Sequence, residues 1–166
     1  MADRSIFSRM CDELSQSLTP QLQALGFTTP EEPFSRRTIK YEFSRRVSTG
    51  VHVLEVMFNK YRKPAFSVQI YVAPPAGVSM LVERGGTLVI GSVSSSPRKW
   101  PFPVQPFRAE PTRVQRMLGQ PSDHVKEAVQ LFLSLVPELE EWWTHQQPTR
   151  HITVSKLTYP GAKHGS

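Results

Sequence analysis

Three alternating runs joined by very short connections constrain this chain more than any other feature. In the first, residues 35–47, Ile39, Tyr41, Phe43 and Val47 fall on one side, and Thr38, Lys40, Glu42, Ser44 and Arg46 on the other. A Ser48-Thr49-Gly50 turn leads to the second, residues 51–59, with Leu54, Val56 and Phe58 in phase. The basic turn from Asn59 to Pro64 leads to the third, residues 65–73, where Phe66, Val68, Ile70 and Val72 alternate with Ser67, Gln69 and Tyr71. Links this short cannot carry a parallel crossover, so the runs predict an antiparallel meander with one covered face and one wet face.

Helices supply the cover. Ile6, Phe7, Met10, Leu14, Leu18, Leu22 and Leu25 recur at steps of three and four, which predicts a helix over 4–25. Pro20 predicts a split or kink within it, with Thr19 as a cap, and Gly26-Phe27 suits a left-handed C-cap. A second helix is predicted over 122–146, capped by Ser122 and bent or restarted at Pro137. Its apolar face is Val125, Val129, Phe132, Leu133, Val136, Leu139, Trp142 and Trp143. Further strands are expected at 87–93 and 150–157, and a short helix at 111–118. Eleven of the fifteen prolines lie between residues 64 and 148. The Pro- and Ser-rich stretch 94–111, with Trp100, Phe102 and Phe107, predicts an ordered irregular segment laid across the domain.

These elements predict a single α+β domain over residues 1–158. It is a twisted antiparallel sheet of four to five strands with the N-terminal and C-terminal helices on one face, followed by a flexible tail at 159–166. A chain of 166 residues can bury such a core without a metal or a disulfide. The single cysteine, Cys11, reads as a small buried hydrophobe, and with no secretory signal or apolar span the expected location is cytoplasmic.

The net charge of +6 is local. Residues 35–63 hold eight Lys or Arg against Glu42 and Glu55, and the rest of the chain carries twelve basic and twelve acidic side chains. Alternation puts Lys40 and Arg46 on the polar face and Lys60, Arg62 and Lys63 at a hairpin tip; Arg37 and Arg45 fall in phase with the apolar side. A concentrated field of this kind steers acidic partners. An RNA-recognition sheet needs exposed aromatics for stacking, and Tyr71 alone qualifies among the outward positions, so a protein partner is favoured over nucleic acid. Neighbouring positions on a helix differ by about 100°, so at least one of Trp142 and Trp143 is expected in the core, against Trp100 or the sheet. Trp100, Trp142 and Trp143 are also the further partner-binding candidates, because a tryptophan left exposed anchors an interface. Glu138, Glu140 and Glu141 read as a solvated helix face.

No catalytic, cofactor or metal signature is present. The five histidines form no His-x-x-x-His pair, Gly85-Gly86 lacks the Lys-Ser/Thr ending of a phosphate loop, and there is no Gly-x-Ser-x-Gly elbow. The expected function is a non-enzymatic binding protein without cofactors or membrane attachment. The alternatives are a nucleic-acid-associated protein using the 35–63 patch and an enzyme with a site assembled from scattered residues.

The order of features also resembles a known family. Leu25-Gly26-Phe27 at the helix end, Phe34-Ser35-Arg36, the run from Val51 to Phe58 and the run from Phe66 to Val72 are similar to small bacterial proteins classed as a domain of unknown function numbered 4304. The resemblance covers roughly residues 10–75. It implies a compact α+β domain and carries no catalytic residues. Other small bacterial proteins of this general look are immunity proteins that neutralise toxins by binding, which makes an immunity-like role the corresponding expectation by analogy.

Overall fold

The computed structural model describes residues 2–97, 104–111, 113–119 and 123–162. Trp100, Phe102 and Ser122 lie outside the described residues, as does the end of the chain from 163.

The N-terminal helix runs on through Pro20 instead of breaking there. α1 (Ala2–Glu13) passes into a π-helical turn (Leu14–Leu18) and then into α2 (Thr19–Ala24). Proline has no N–H, and its ring presses on the carbonyl four residues back. The wider π turn, in which the Thr19 N–H reaches Leu14 O, takes up that misfit and keeps Leu14, Leu18 and Leu22 on the buried side. Thr19 makes no side-chain cap, and its buried hydroxyl has no partner among the described residues. The helix ends as expected. Gly26 (φ +84°) donates to Gln23 O, Phe27 donates to Leu22 O, and the Phe27 ring folds back into the core.

The sheet is antiparallel throughout, in the order β1 (Lys40–Val47), β2 (Gly50–Phe58), β3 (Ala65–Ala73), β4 (Gly86–Val93), β6 (Ile152–Tyr159). The two-residue β5 (Phe107–Arg108) pairs with the start of β3, so the sheet has six strands. A short helix absent from the sequence reading, α3 (Ser79–Arg84), connects β3 to β4. α4 (Arg113–Leu118) buries none of its residues. The predicted second helix is two: α5 (His124–Ser134) and α6 (Val136–His145), restarted around Pro137 in the first turn of α6. Asp123 is the cap of α5, its carboxylate accepting from Lys126 N at 3.2 Å.

One hydrophobic core lies between the helices and the face of the sheet bearing Tyr41, Phe43, Leu54, Val56, Phe58, Phe66, Val68 and Ile70. Phe66, Phe107 and Phe132 form an aromatic triad with ring centroids 5.0–6.0 Å apart. At Gly91, an added Cβ would lie 2.9 Å from side-chain atoms of Ile70, Ile152 and Trp142.

Two boundaries differ from expectation. The first strand begins at Lys40, five residues later than the pattern implies, because Phe34 (φ +60°) and Arg36 (φ +70°) turn the chain twice before it. Ile39 is therefore exposed instead of inward. At the other end the ordered chain continues past 158. Tyr159 pairs with Gly86, and Ala162 N donates to Glu83 O at 3.0 Å.

Candidate functional site

The turn between β2 and β3 is where the charge of the window reaches solvent. Local chemistry stiffens it. Asn59 Oδ1 accepts from Tyr61 N at 2.8 Å, Asn59 O accepts from Arg62 N at 2.8 Å, and Lys63 O accepts from Ala65 N at 2.7 Å across Pro64. Pro64 O is in turn bonded by Ala109 N. Lys60, Tyr61, Arg62 and Lys63 are all exposed, Tyr61 at 71%, with Lys60 Nζ 4.9 Å from its ring centroid. Among the described residues, Lys60, Arg62 and Lys63 pair with no carboxylate.

A cleft flanks the tip on each side. One, of about 430 Å³, is lined by Phe7, Ser8, Arg36, Lys60, Tyr61 and Arg62. The other, of about 470 Å³, is lined by residues that include Met57, Lys63, Ser67, Pro106, Arg108 and Glu110. Arg36 and Arg62 (φ +54°) both adopt the left-handed conformation. A side chain with a Cβ holds that conformation at a cost of about 1–2 kcal/mol, which Gly or Asn would relieve.

Of the other five cations of the window, four are paired with carboxylates. Arg36 pairs with Asp12 on α1 and Arg37 with Glu32. Lys40 lies 2.5 Å from Glu55, a carboxylate buried on the open face of the sheet that also accepts from Tyr71 OH at 3.0 Å. Lys40 is therefore a counter-ion within the fold and not a free docking cation. Tyr71 is half-buried, and burial, with the charges of Glu55 and Glu42, holds its phenol well above its ordinary pKa, so its hydroxyl stays a donor to Glu55. Arg46 is exposed, donates to Pro75 O at 3.3 Å, and stands about 20 Å down β1 from the tip. It does not share the patch with Lys60, Arg62 and Lys63.

Trp142 and Trp143 are buried at 0% and 4% exposure, which removes both as partner anchors. Trp142 lies on the sheet at Gly91, and Trp143 packs between Phe27 and the stacked His52 ring, 5.2 Å away. Beside it, Arg45 bonds Glu140 Oε2 at 2.5 Å and Leu25 O at 3.1 Å, with its guanidinium 4.7 Å from the Phe27 centroid. On the other flank of α6, Glu138 accepts from Thr149 Oγ1, from His151 N at 2.8 Å, and meets His151 Nδ1 at 2.9 Å. Glu138 and Glu140 are thus half-buried structural partners on opposite sides of one helix, and only Glu141 is a solvated carboxylate.

These clusters fix the response to acid. Burial, then the neighbouring Arg45 charge, lowers the His52 pKa below 6.5, outweighing the attraction of Glu140. Unfolded His52 then binds more protons than folded His52 below pH 6.5, so stability falls as pH drops through that value. Burial alone would raise the Glu138 carboxyl, but hydrogen bonds from Thr149 and His151 outweigh it and hold it below 4.5. Its contribution is complete above pH 4.5 and is lost at lower pH. Urea titrations between pH 7 and 5 should show a decline that His52→Phe abolishes; an unchanged slope in that variant would contradict the assignment.

Cys11 is fully buried, and desolvation pushes its thiol up to about 11, so it is inert as a nucleophile. Among the described residues no three His, Cys, Asp or Glu side chains gather into a metal-ligating group, and no helix is long and apolar enough to cross a membrane. Sequence reasoning found Lys60, Arg62 and Lys63 but missed Tyr61 and Arg108. Tyr61 was legible as an aromatic inside a basic turn; Arg108 reaches the tip only through the β5–β3 pairing. No family model, curated protein or solved structure matches the chain, so its functional reading rests on this geometry.

Proposed function

We propose that this protein is a non-enzymatic binding protein that docks an acidic protein partner on the β2–β3 hairpin, in the manner of an immunity protein. The observation that carries this reading is the contrast within the basic window. Arg36, Arg37, Lys40 and Arg45 are matched to carboxylates, whereas Lys60, Arg62 and Lys63 surround an exposed tyrosine at one rigid tip without such partners among the described residues. A pre-ordered cationic tip with one aromatic loses little conformational freedom on docking and speeds encounter with negative surfaces. Among the described residues the outward face of the sheet offers no aromatic row for base stacking, since Tyr71 is half-buried and bonded to Glu55, which favours protein over nucleic acid.

The test compares the protein with a Lys60→Ser/Arg62→Ser/Lys63→Ser variant. The triple variant should fold normally, because exposed charges contribute about 0–1 kcal/mol per pair. Against an acidic polypeptide such as poly-glutamate it should associate about tenfold more slowly at low salt, a gap that closes as salt rises. Random-sequence duplex and single-stranded DNA form the opposing arm. Tight binding there, with affinity falling steeply with salt and the slope reduced in the triple variant, would replace this reading with the nucleic-acid one.

A further inference from the structure

We propose that the cleft between α1 and the β2–β3 hairpin is a binding site for a phosphate monoester carried on an aromatic or planar body. This rests on the reading of the hairpin as a binding surface and names what the surface recognises. Among the described residues, two of the four non-glycine residues with positive φ, Arg36 and Arg62, come from separate loops and line this one cleft. Backbone strain of this kind persists where the surroundings hold it in place, and it gathers at ligand clamps. Here it brings two guanidinium groups to the same cavity, and Lys60 adds an ammonium.

Charge selects the ligand. Arg36 is matched by Asp12, so three cations and one carboxylate leave two positive charges at the cleft. A phosphate monoester carries about −1.5 to −2 at neutral pH and offers three acceptor oxygens to forked arginine donors. A single carboxylate would neutralise half of that charge. The volume of about 430 Å³ is in the range of small-ligand pockets and far exceeds a bare phosphate. Phe7 and the exposed Tyr61 also line the cleft, and the Tyr61 ring is a surface for a planar body to stack on. Ser8 supplies a further hydroxyl.

The experiment is calorimetric titration of the full chain at roughly 50 mM salt with inorganic phosphate, phenyl phosphate and benzoate. Phenyl phosphate should bind about tenfold more tightly than inorganic phosphate, and benzoate more weakly still. Its affinity should decline below about pH 6, where the dianion takes up a proton. Arg62→Asn should weaken phenyl phosphate by at least about tenfold while melting at the same or a higher temperature, since Asn tolerates the left-handed conformation. Tyr61→Ser should remove the preference for phenyl phosphate over inorganic phosphate. No binding of phenyl phosphate up to about 10 mM, or full binding by both Arg62→Asn and Lys60→Ser, overturns the proposal. If the cleft is silent while the hairpin still binds acidic polypeptide through Lys63 and Arg108, the cleft assignment falls and the hairpin reading stands. If phenyl phosphate binds through Arg62 but no acidic polypeptide does, the cleft stands and the protein-partner reading falls.

Discussion

Phe66→Ala is expected to destabilise the protein by about 3–5 kcal/mol. Phe66 is 1% exposed, stacks on Phe107 at 5.0 Å and meets the edge of Phe132 at 6.0 Å. Its ring therefore joins three separate parts of the chain: β3, the short β5, and α5. Truncation leaves a cavity that none of them can fill alone, because each is tied down by its own backbone bonds. Urea unfolding measures the loss, and Ser67→Ala on the opposite face is the control, expected within about 0.5 kcal/mol of the parent. A loss under about 1 kcal/mol for Phe66→Ala would mean that the triad is not packed as described.

Arg45→Met should cost about 3 kcal/mol. The guanidinium is held by Glu140 and by the carbonyl of Leu25, and it lies over Phe27 and Trp143. Methionine replaces most of the apolar stem but leaves Glu140 without its counter-charge, with Oε1 already buried and unbonded. The penalty arises from that stranded carboxylate more than from the lost attraction. The double variant Arg45→Met/Glu140→Met should thus recover most of the stability, since well-packed apolar pairs often equal the ion pair they replace. A double-mutant cycle measures the coupling. Additive single losses, with no recovery in the double variant, would show that the two side chains act independently.

Alternation made the sheet legible. Leu54, Val56, Phe58, Phe66, Val68 and Ile70 lie on one face because a period of two admits one register for adjacent strands. The apolar stripe of α1 and the Gly26-Phe27 stop were legible for the same reason: local geometry alone dictates them. Ile39 was misplaced because the strand start is set by the left-handed turns at Phe34 and Arg36, which alternation does not encode. The end of β6 was drawn short because its length is set by its partner β4, which reaches back to Gly86. The charge surplus misled in a different way. Arg45 meets Glu140 across 95 positions, and Arg36 meets Asp12 across 24. A window sum cannot see carboxylates that the fold imports. The three cations left at the tip become distinct only after those pairings are known.

Gly91 sets the height of α6 above the sheet. With no side chain there, the Trp142 indole rests on backbone, wedged between Ile70 and Ile152. The helix can neither sink, because it already touches the strand, nor rise without opening a void beneath the indole. Glu138 and Glu140 hang from opposite flanks of that same helix, one gripping the β6 approach and the other β1. Both grips are cut to a single clearance. A lone methyl group at position 91 would tilt or lift α6 and loosen two hydrogen-bonded clusters that never touch each other, so the far ends of the sheet are mechanically linked through a residue between them that has nothing to offer but space.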